Sequence, residues 1–151
     1  MPNIPVTVGQ GMTVLTAGAG AGEKNLQTAK GLFQAVGSAI TLEDESLIDA
    51  VTALSGSGPA YIFFFMEALV QGGIKAGLSA EKARDLVLQT AMGAAAMACK
   101  SEHGLAELRR MVTSPGGTTE AALRVFSASD FTDIIEKALF AARDRSEELS
   151  K

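Results

Sequence analysis

The segment from Pro59 to about Ala76 constrains this chain more than any other. It carries Tyr61, Ile62, Phe63, Phe64, Phe65, Met66, Leu69, Val70 and Ile74. At 3.6 residues per turn these positions go nearly all the way round a helix, so no polar face is left for solvent. A chain of 151 residues has little material with which to cover such a helix by itself. The segment therefore predicts a helix buried by a partner subunit. The longest strongly apolar run, Ala60 to Val70, includes Glu67 and is shorter than the roughly 20 residues a bilayer span needs, which predicts no membrane insertion.

The rest of the composition narrows the function classes. Hydrophobic residues make up 47% and charged residues 20%, which predicts a folded chain. A net charge of −4, with no basic run to offset it, argues against nucleic-acid binding. Cys99 is the only cysteine and His103 the only histidine, so no disulfide framework, zinc pattern or His-rich metal site is present. Cys99 itself reads as a small core residue. These features fit a reducing, cytoplasmic setting.

Residues 1–42 read differently from the rest of the chain. Pro2 and Pro5 are expected to exclude a helix at the start. Met12 to Thr16 alternates in β-forming residues and predicts a strand; Gly18 to Gly22 predicts a turn. Leu26, Ala29, Leu32, Phe33 and Val36 fall at helical spacing over Glu23–Val36, and Ser38 to Leu42 predicts a second strand. Two strands make a poor sheet, so this segment reads as the tail of a larger α/β domain. The glycine run does not make a dinucleotide fingerprint. With Gly18 and Gly20 as its first two glycines, the third position is Glu23.

From Glu43 onward the pattern is helical. A first helix ending near Leu54 is expected to break at Ser55-Gly56-Ser57-Gly58-Pro59, with Ser57 as the next N-cap. Gly77-Leu78-Ser79 predicts a stop and a restart. The next helix, to about Lys100, carries a packed stripe of Leu86, Val87, Thr90, Ala91, Ala94, Met97 and Ala98, with Gly93 suggesting close helix approach. A short helix then leads into Thr113-Ser114-Pro115-Gly116-Gly117-Thr118-Thr119. That corner is either a plain capped turn, with Thr118 or Thr119 as cap, or a helix start whose N–H groups grip an anion. In the last helix, from Phe131, Ile134, Ile135, Ala138, Leu139 and Ala142 are expected to face inward, and the charged end reads as solvated.

Three stretches taken together carry a resemblance: Met1-Pro2-Asn3-Ile4-Pro5, Asp49 to Thr52 running into Ser55-Gly56-Ser57-Gly58-Pro59-Ala60-Tyr61, and Val112 to Thr119. In order and spacing they resemble pyrroline-5-carboxylate reductase. The resemblance implies a mainly α fold: a helical-bundle dimerisation domain of the 6-phosphogluconate-dehydrogenase C-terminal type, preceded by a strand–helix–strand remnant of a nucleotide-binding domain. The implied boundaries are residues 1–42 for the remnant and 43–151 for the dimerisation and substrate-binding domain. The implied reaction is NAD(P)H-dependent reduction of 1-pyrroline-5-carboxylate to proline, in a homodimer or higher oligomer.

Carried over by position, Ser114, Gly117, Thr118 and Thr119 resemble the loop that binds the substrate carboxylate. Glu102 resembles a residue that orders this loop; the residues alone also allow a solvated carboxylate. Thr52 and Thr119 resemble the catalytic pair, Thr52 facing the imine and Thr119 the ring nitrogen. For Thr52 the residues alone equally allow a hydroxyl bonded back to its own helix. Asn3, Ser57, Gly58 and Pro59 resemble the cofactor-facing part, for NADP or NAD; no metal is implied. Ile4 departs from the family's Met-Pro-Asn-Thr-Pro, and the fingerprint glycines are not in this chain. The expectation is therefore a chain that does not bind the cofactor tightly or turn over alone. The alternative is a non-catalytic dimerisation or ligand-binding module derived from the reductase.

Overall fold

A computed structural model of the chain describes residues 1–18 and 20–150. Ala19 in the glycine-rich turn and Lys151 at the end of the charged tail lie outside the described residues. The chain divides into two compact units, residues 1–62 with 135–151, and residues 63–134.

The first unit opens with a 3-10 turn, Ile4–Val8, where the two prolines argue against a helix. Pro5 sits at its start, where a missing N–H costs nothing, so proline permits this turn and only excludes a longer helix. Strand β1 (Gly11–Thr16) and strand β2 (Gly37–Leu42) pair in parallel, Gly11 opposite Gly37 and Thr16 opposite Leu42, with helix α1 (Glu23–Gln34) between them in sequence. Close approach at the first rung requires glycine: a Cβ on Gly37 would lie 2.0 Å from the Gly11 carbonyl oxygen, and Gly37 has φ +150°. The small core here is Thr13, Val14 and Ala39. The N-terminal ammonium donates to the Val14 carbonyl at 2.8 Å, and Pro2 bridges to Thr13. Among the described residues the sheet has these two strands alone.

The expected break at Ser55–Pro59 is not a break. A 3-10 turn (Glu45–Leu47), helix α2 (Ile48–Val51), a π-helical turn (Thr52–Gly56) and helix α3 (Gly58–Lys75) succeed one another with the backbone kept in the helical region. Ser57 has φ −81° and ψ −21°, which are helical rather than N-cap values. The extra residue of the π turn absorbs the proline that would otherwise have ended the helix. The stretch Glu45–Lys75 is consequently 31 residues, long and apolar enough by length and composition to cross a membrane. The apolar run Ala60 to Val70 is too short to do so only when it is taken without the helix that continues it on both sides. In the same unit Ser146 of helix α7 (Phe131–Leu149) donates to the Asp49 carboxylate at 2.6 Å.

The second unit joins α3 to helix α4 (Ala80–Lys100) through Gly77, at φ +102°, and Ser79, whose hydroxyl accepts the Lys82 N–H. Close approach falls at Gly73, where a Cβ would lie 3.3 Å from the Ala83 methyl, and not at Gly93, which faces open space. Of the stripe expected on α4, Leu86 and Met97 are exposed, while Ala83 is the buried contact. Cys99 is exposed as well, so it is not a core residue of this chain. Helix α5 (Leu105–Met111) leads to the Ser114–Gly117 corner and helix α6 (Thr118–Ala128). Phe65, Phe126 and Phe131 form an aromatic trio, with ring centroids 5.3 to 6.4 Å apart. In α7, Ile134 and Ile135 are exposed, contrary to their expected inward placement.

Candidate functional site

The corner before α6 is built by two glycines with different tasks. Gly116 takes φ +71°, a left-handed conformation, and turns the chain. Gly117 is the N-cap, with φ −81° and ψ 171°, and its N–H donates to the Ser114 carbonyl at 3.0 Å. A Cβ on Gly117 would lie 2.5 Å from Ser114 Oγ and 3.0 Å from the Ser114 carbonyl oxygen, so a larger residue would displace the Ser114 side chain and crowd the backbone. Neither Thr118 nor Thr119 caps the helix; the cap is Gly117, without a side-chain bond. The first backbone bond into the helix runs from Ala121 N–H to the Gly117 carbonyl at 3.2 Å. The Thr118, Thr119 and Glu120 N–H groups are thus donors without a partner among the described residues, at a helix start where the dipole favours a negative charge. Thr118 and Ser114 are exposed and Thr119 half-buried.

Glu120 orders this corner. Its carboxylate accepts the Gly116 N–H at 2.6 Å and so ties the left-handed residue to the first turn of α6. The family resemblance points to Glu102 for that task, but Glu102 is exposed and makes no hydrogen bond or ion pair among the described residues. A signal for Glu120 is present in the spacing, since it falls four residues after a glycine in a turn.

In the first unit, Thr52 opens the π turn. Its hydroxyl donates to the Ile48 carbonyl at 2.8 Å, which is the back-bonded arrangement, and retains its lone pairs as acceptors. The π register is fixed by Ser57 N–H donating to the Thr52 carbonyl at 2.8 Å, a five-residue step. Asn3 is engaged at both ends of its amide. Its Nδ2 donates to the Ser55 carbonyl at 3.1 Å, and its Oδ1 accepts the Met12 N–H at 2.8 Å. The structure thus brings Asn3 against the π turn that begins at Thr52 and runs on into Ser57, Gly58 and Pro59. No group of three or more His, Cys, Asp or Glu side chains among the described residues is placed to hold a metal ion.

The chain matches a known family, described as pyrroline-5-carboxylate reductase dimerisation, over residues 45–149. Over 151 residues it is 53% identical to a pyrroline-5-carboxylate reductase of Pseudomonas aeruginosa, covering 100% of this chain and 55% of that protein. It is 46% identical to that of Arabidopsis thaliana, covering 54% of that protein. The chain thus spans about half the length of the curated relatives it matches. Among solved structures it is similar to a pyrroline-5-carboxylate reductase of Coxiella burnetii, with TM-score 0.96 and 44% identity, covering 100% of this chain and 56% of that one. It is also similar to the Plasmodium falciparum enzyme solved with NADP bound, with TM-score 0.92 and 32% identity, covering 100% and 62%.

Proposed function

Because the chain belongs to the pyrroline-5-carboxylate reductase dimerisation family, we propose that it is the dimerisation and substrate-binding portion of a reductase that converts 1-pyrroline-5-carboxylate to proline. The boundaries of that portion are residues 43–151, with 1–42 the remnant of a nucleotide-binding domain. The observation that carries the reading is the corner before α6. It is a left-handed turn held by Glu120, with free N–H donors at a helix start. Such a corner suits a compact carboxylate. Ser114, Gly117, Thr118 and Thr119 bind the substrate carboxylate, and the Thr119 hydroxyl faces the ring nitrogen. Glu102 remains on the substrate side but acts without an intrachain bond. Thr52 orients the imine through the lone pairs its back-bond leaves free. A site that aligns the C=N group in this way gains most of its rate from positioning.

A nicotinamide cofactor, NADP or NAD, supplies the hydride in such a reaction. Asn3, Ser57, Gly58 and Pro59 form the part of this chain that faces it. The chain does not fit the rest of a dinucleotide. The glycine run lacks its third glycine, and the parallel sheet has two strands among the described residues. This chain therefore does not turn over alone.

The functional unit is a homodimer. Large apolar side chains stand uncovered in the single chain: Ile62, Phe63 and Phe64 of α3 and Met92 of α4 are each more than half exposed. Glu67 of α3 and Arg84 of α4 line one groove with Phe63, which suits a protein partner in a cytoplasmic setting better than a bilayer.

Titration of the isotope-labelled chain with L-proline, monitored by amide NMR, tests the site. Saturable shifts confined to Ser114–Thr119 and Thr52, lost in Gly117→Ala, are expected. No shifts at these amides would remove the reductase reading and leave a non-catalytic dimerisation module.

A further inference from the structure

Pro59 has no N–H, so it cannot reach back four residues to the Ser55 carbonyl as a helical residue would. The next donor, Ala60 N–H, is taken by the Ser57 carbonyl at 3.0 Å. The Ser55 carbonyl is instead met by Asn3 Nδ2 at 3.1 Å, with Ser55 Oγ at 3.5 Å from the same nitrogen. The other end of the Asn3 amide is fixed to β1 through the Met12 N–H. The Met1 side chain lies over the same turn, since a Cβ on Gly56 would be 3.6 Å from both Met1 Sδ and Thr52 Cγ2.

We propose that Asn3, besides lying on the cofactor side, is a positioning residue that acts through the π turn on Thr52. Its amide replaces the helical hydrogen bond that Pro59 deletes and holds the five-residue register from Ser57 to Thr52. Without that donor the Ser55 carbonyl loses its partner, and the turn can relax toward an ordinary helical or 3-10 register. Either change rotates Thr52 out of its present setting, because every register step turns a side chain by about 100°. Asn suits this task because it is the short side chain that offers a donor and an acceptor at once. The role of Thr52 rests here on the function proposed above.

Two substitutions separate the parts. Asn3→Asp keeps an acceptor for Met12 N–H and deletes the donor to Ser55. Pro59→Ala restores a backbone N–H that can serve the Ser55 carbonyl. Amide exchange of Ser57 and the L-proline response of the Thr52 amide are measured on the full chain. In Asn3→Asp, Ser57 exchange should rise on the order of five- to tenfold, the worth of one hydrogen bond, while Met12 exchange stays unchanged. The Thr52 response to proline should fall with it, and adding Pro59→Ala should restore both. Unchanged Ser57 exchange in Asn3→Asp, or no rescue by Pro59→Ala, would overturn the proposal. If Asn3→Asp shows the exchange effects but the unsubstituted chain shows no Thr52 response to proline, the functional reading fails. The positioning role fails with it, and the hydrogen bond remains a structural one.

Discussion

Replacing Phe64 by Asp bears most directly on the proposed dimer. Phe64 is 73% exposed in the single chain. A phenylalanine side chain buries about 150–250 Å² when fully covered, so coverage by a partner removes roughly 150 Å² of this residue from water. At about 25 cal/mol per Å² that is worth about 4 kcal/mol per protomer, and a two-fold interface contains the residue twice. Phe64→Asp forfeits this and places a carboxylate without a partner in an apolar contact, which costs further. Losing even one protomer's share raises the dissociation constant about a thousandfold. Sedimentation velocity at micromolar concentration should then show a species of 15.6 kDa in place of one twice that mass. Phe64→Leu, which keeps most of the apolar area, should remain dimeric. A Phe64→Asp chain that keeps its helix content and still sediments as a dimer would refute the assignment of α3 to the interface.

Other substitutions act on single contacts. Gly37→Ala should lower the melting temperature sharply, because its Cβ would meet the Gly11 carbonyl oxygen at 2.0 Å; a cost of at least about 3 kcal/mol is expected by thermal unfolding. Glu120→Ala should free the Gly116 N–H, speed its exchange and weaken proline binding several-fold, whereas Glu120→Gln, which keeps an acceptor, should retain the loop order. The Asp44 carboxyl is held below its ordinary pKa by hydrogen bonds from Ser46, first from the side chain and then from the backbone. A group with a lowered folded pKa contributes stability above its unfolded value and loses it as pH falls through the folded one. The first turn near Glu45 should therefore fray in acid before the rest of the helix, measured by amide exchange, and Asp44→Asn should remove that dependence.

The helices α1 and α4 to α7 and both strands were legible because apolar spacing and turn residues agree there, as at Gly77-Leu78-Ser79. The π turn was not. Glycine and serine beside Pro59 are what a broken helix contains, and whether the chain breaks or inserts one residue depends on Asn3, fifty-two positions away. The corner at Ser114–Thr119 is recognisable as an anion-gripping candidate, yet its threonines suggest the wrong cap. Which residue caps is decided by the left-handed Gly116 and its bond to Glu120, and composition does not reveal that. The inward faces of α4 and α7 were misjudged for another reason. Periodicity marks apolar faces without saying what covers them, and Leu86, Met97, Ile134 and Ile135 stand exposed in the single chain.

One measurement tests the proposal that this chain is the dimeric substrate-binding portion of a reductase and does not complete the reaction alone. Oxidation of NADPH and NADH in the presence of 1-pyrroline-5-carboxylate is monitored with the purified chain, and the solution mass is taken on the same sample. A dimer of twice 15.6 kDa with no turnover is expected. Turnover by that sample would contradict it, because the cofactor would then be held without the glycine fingerprint that this chain lacks.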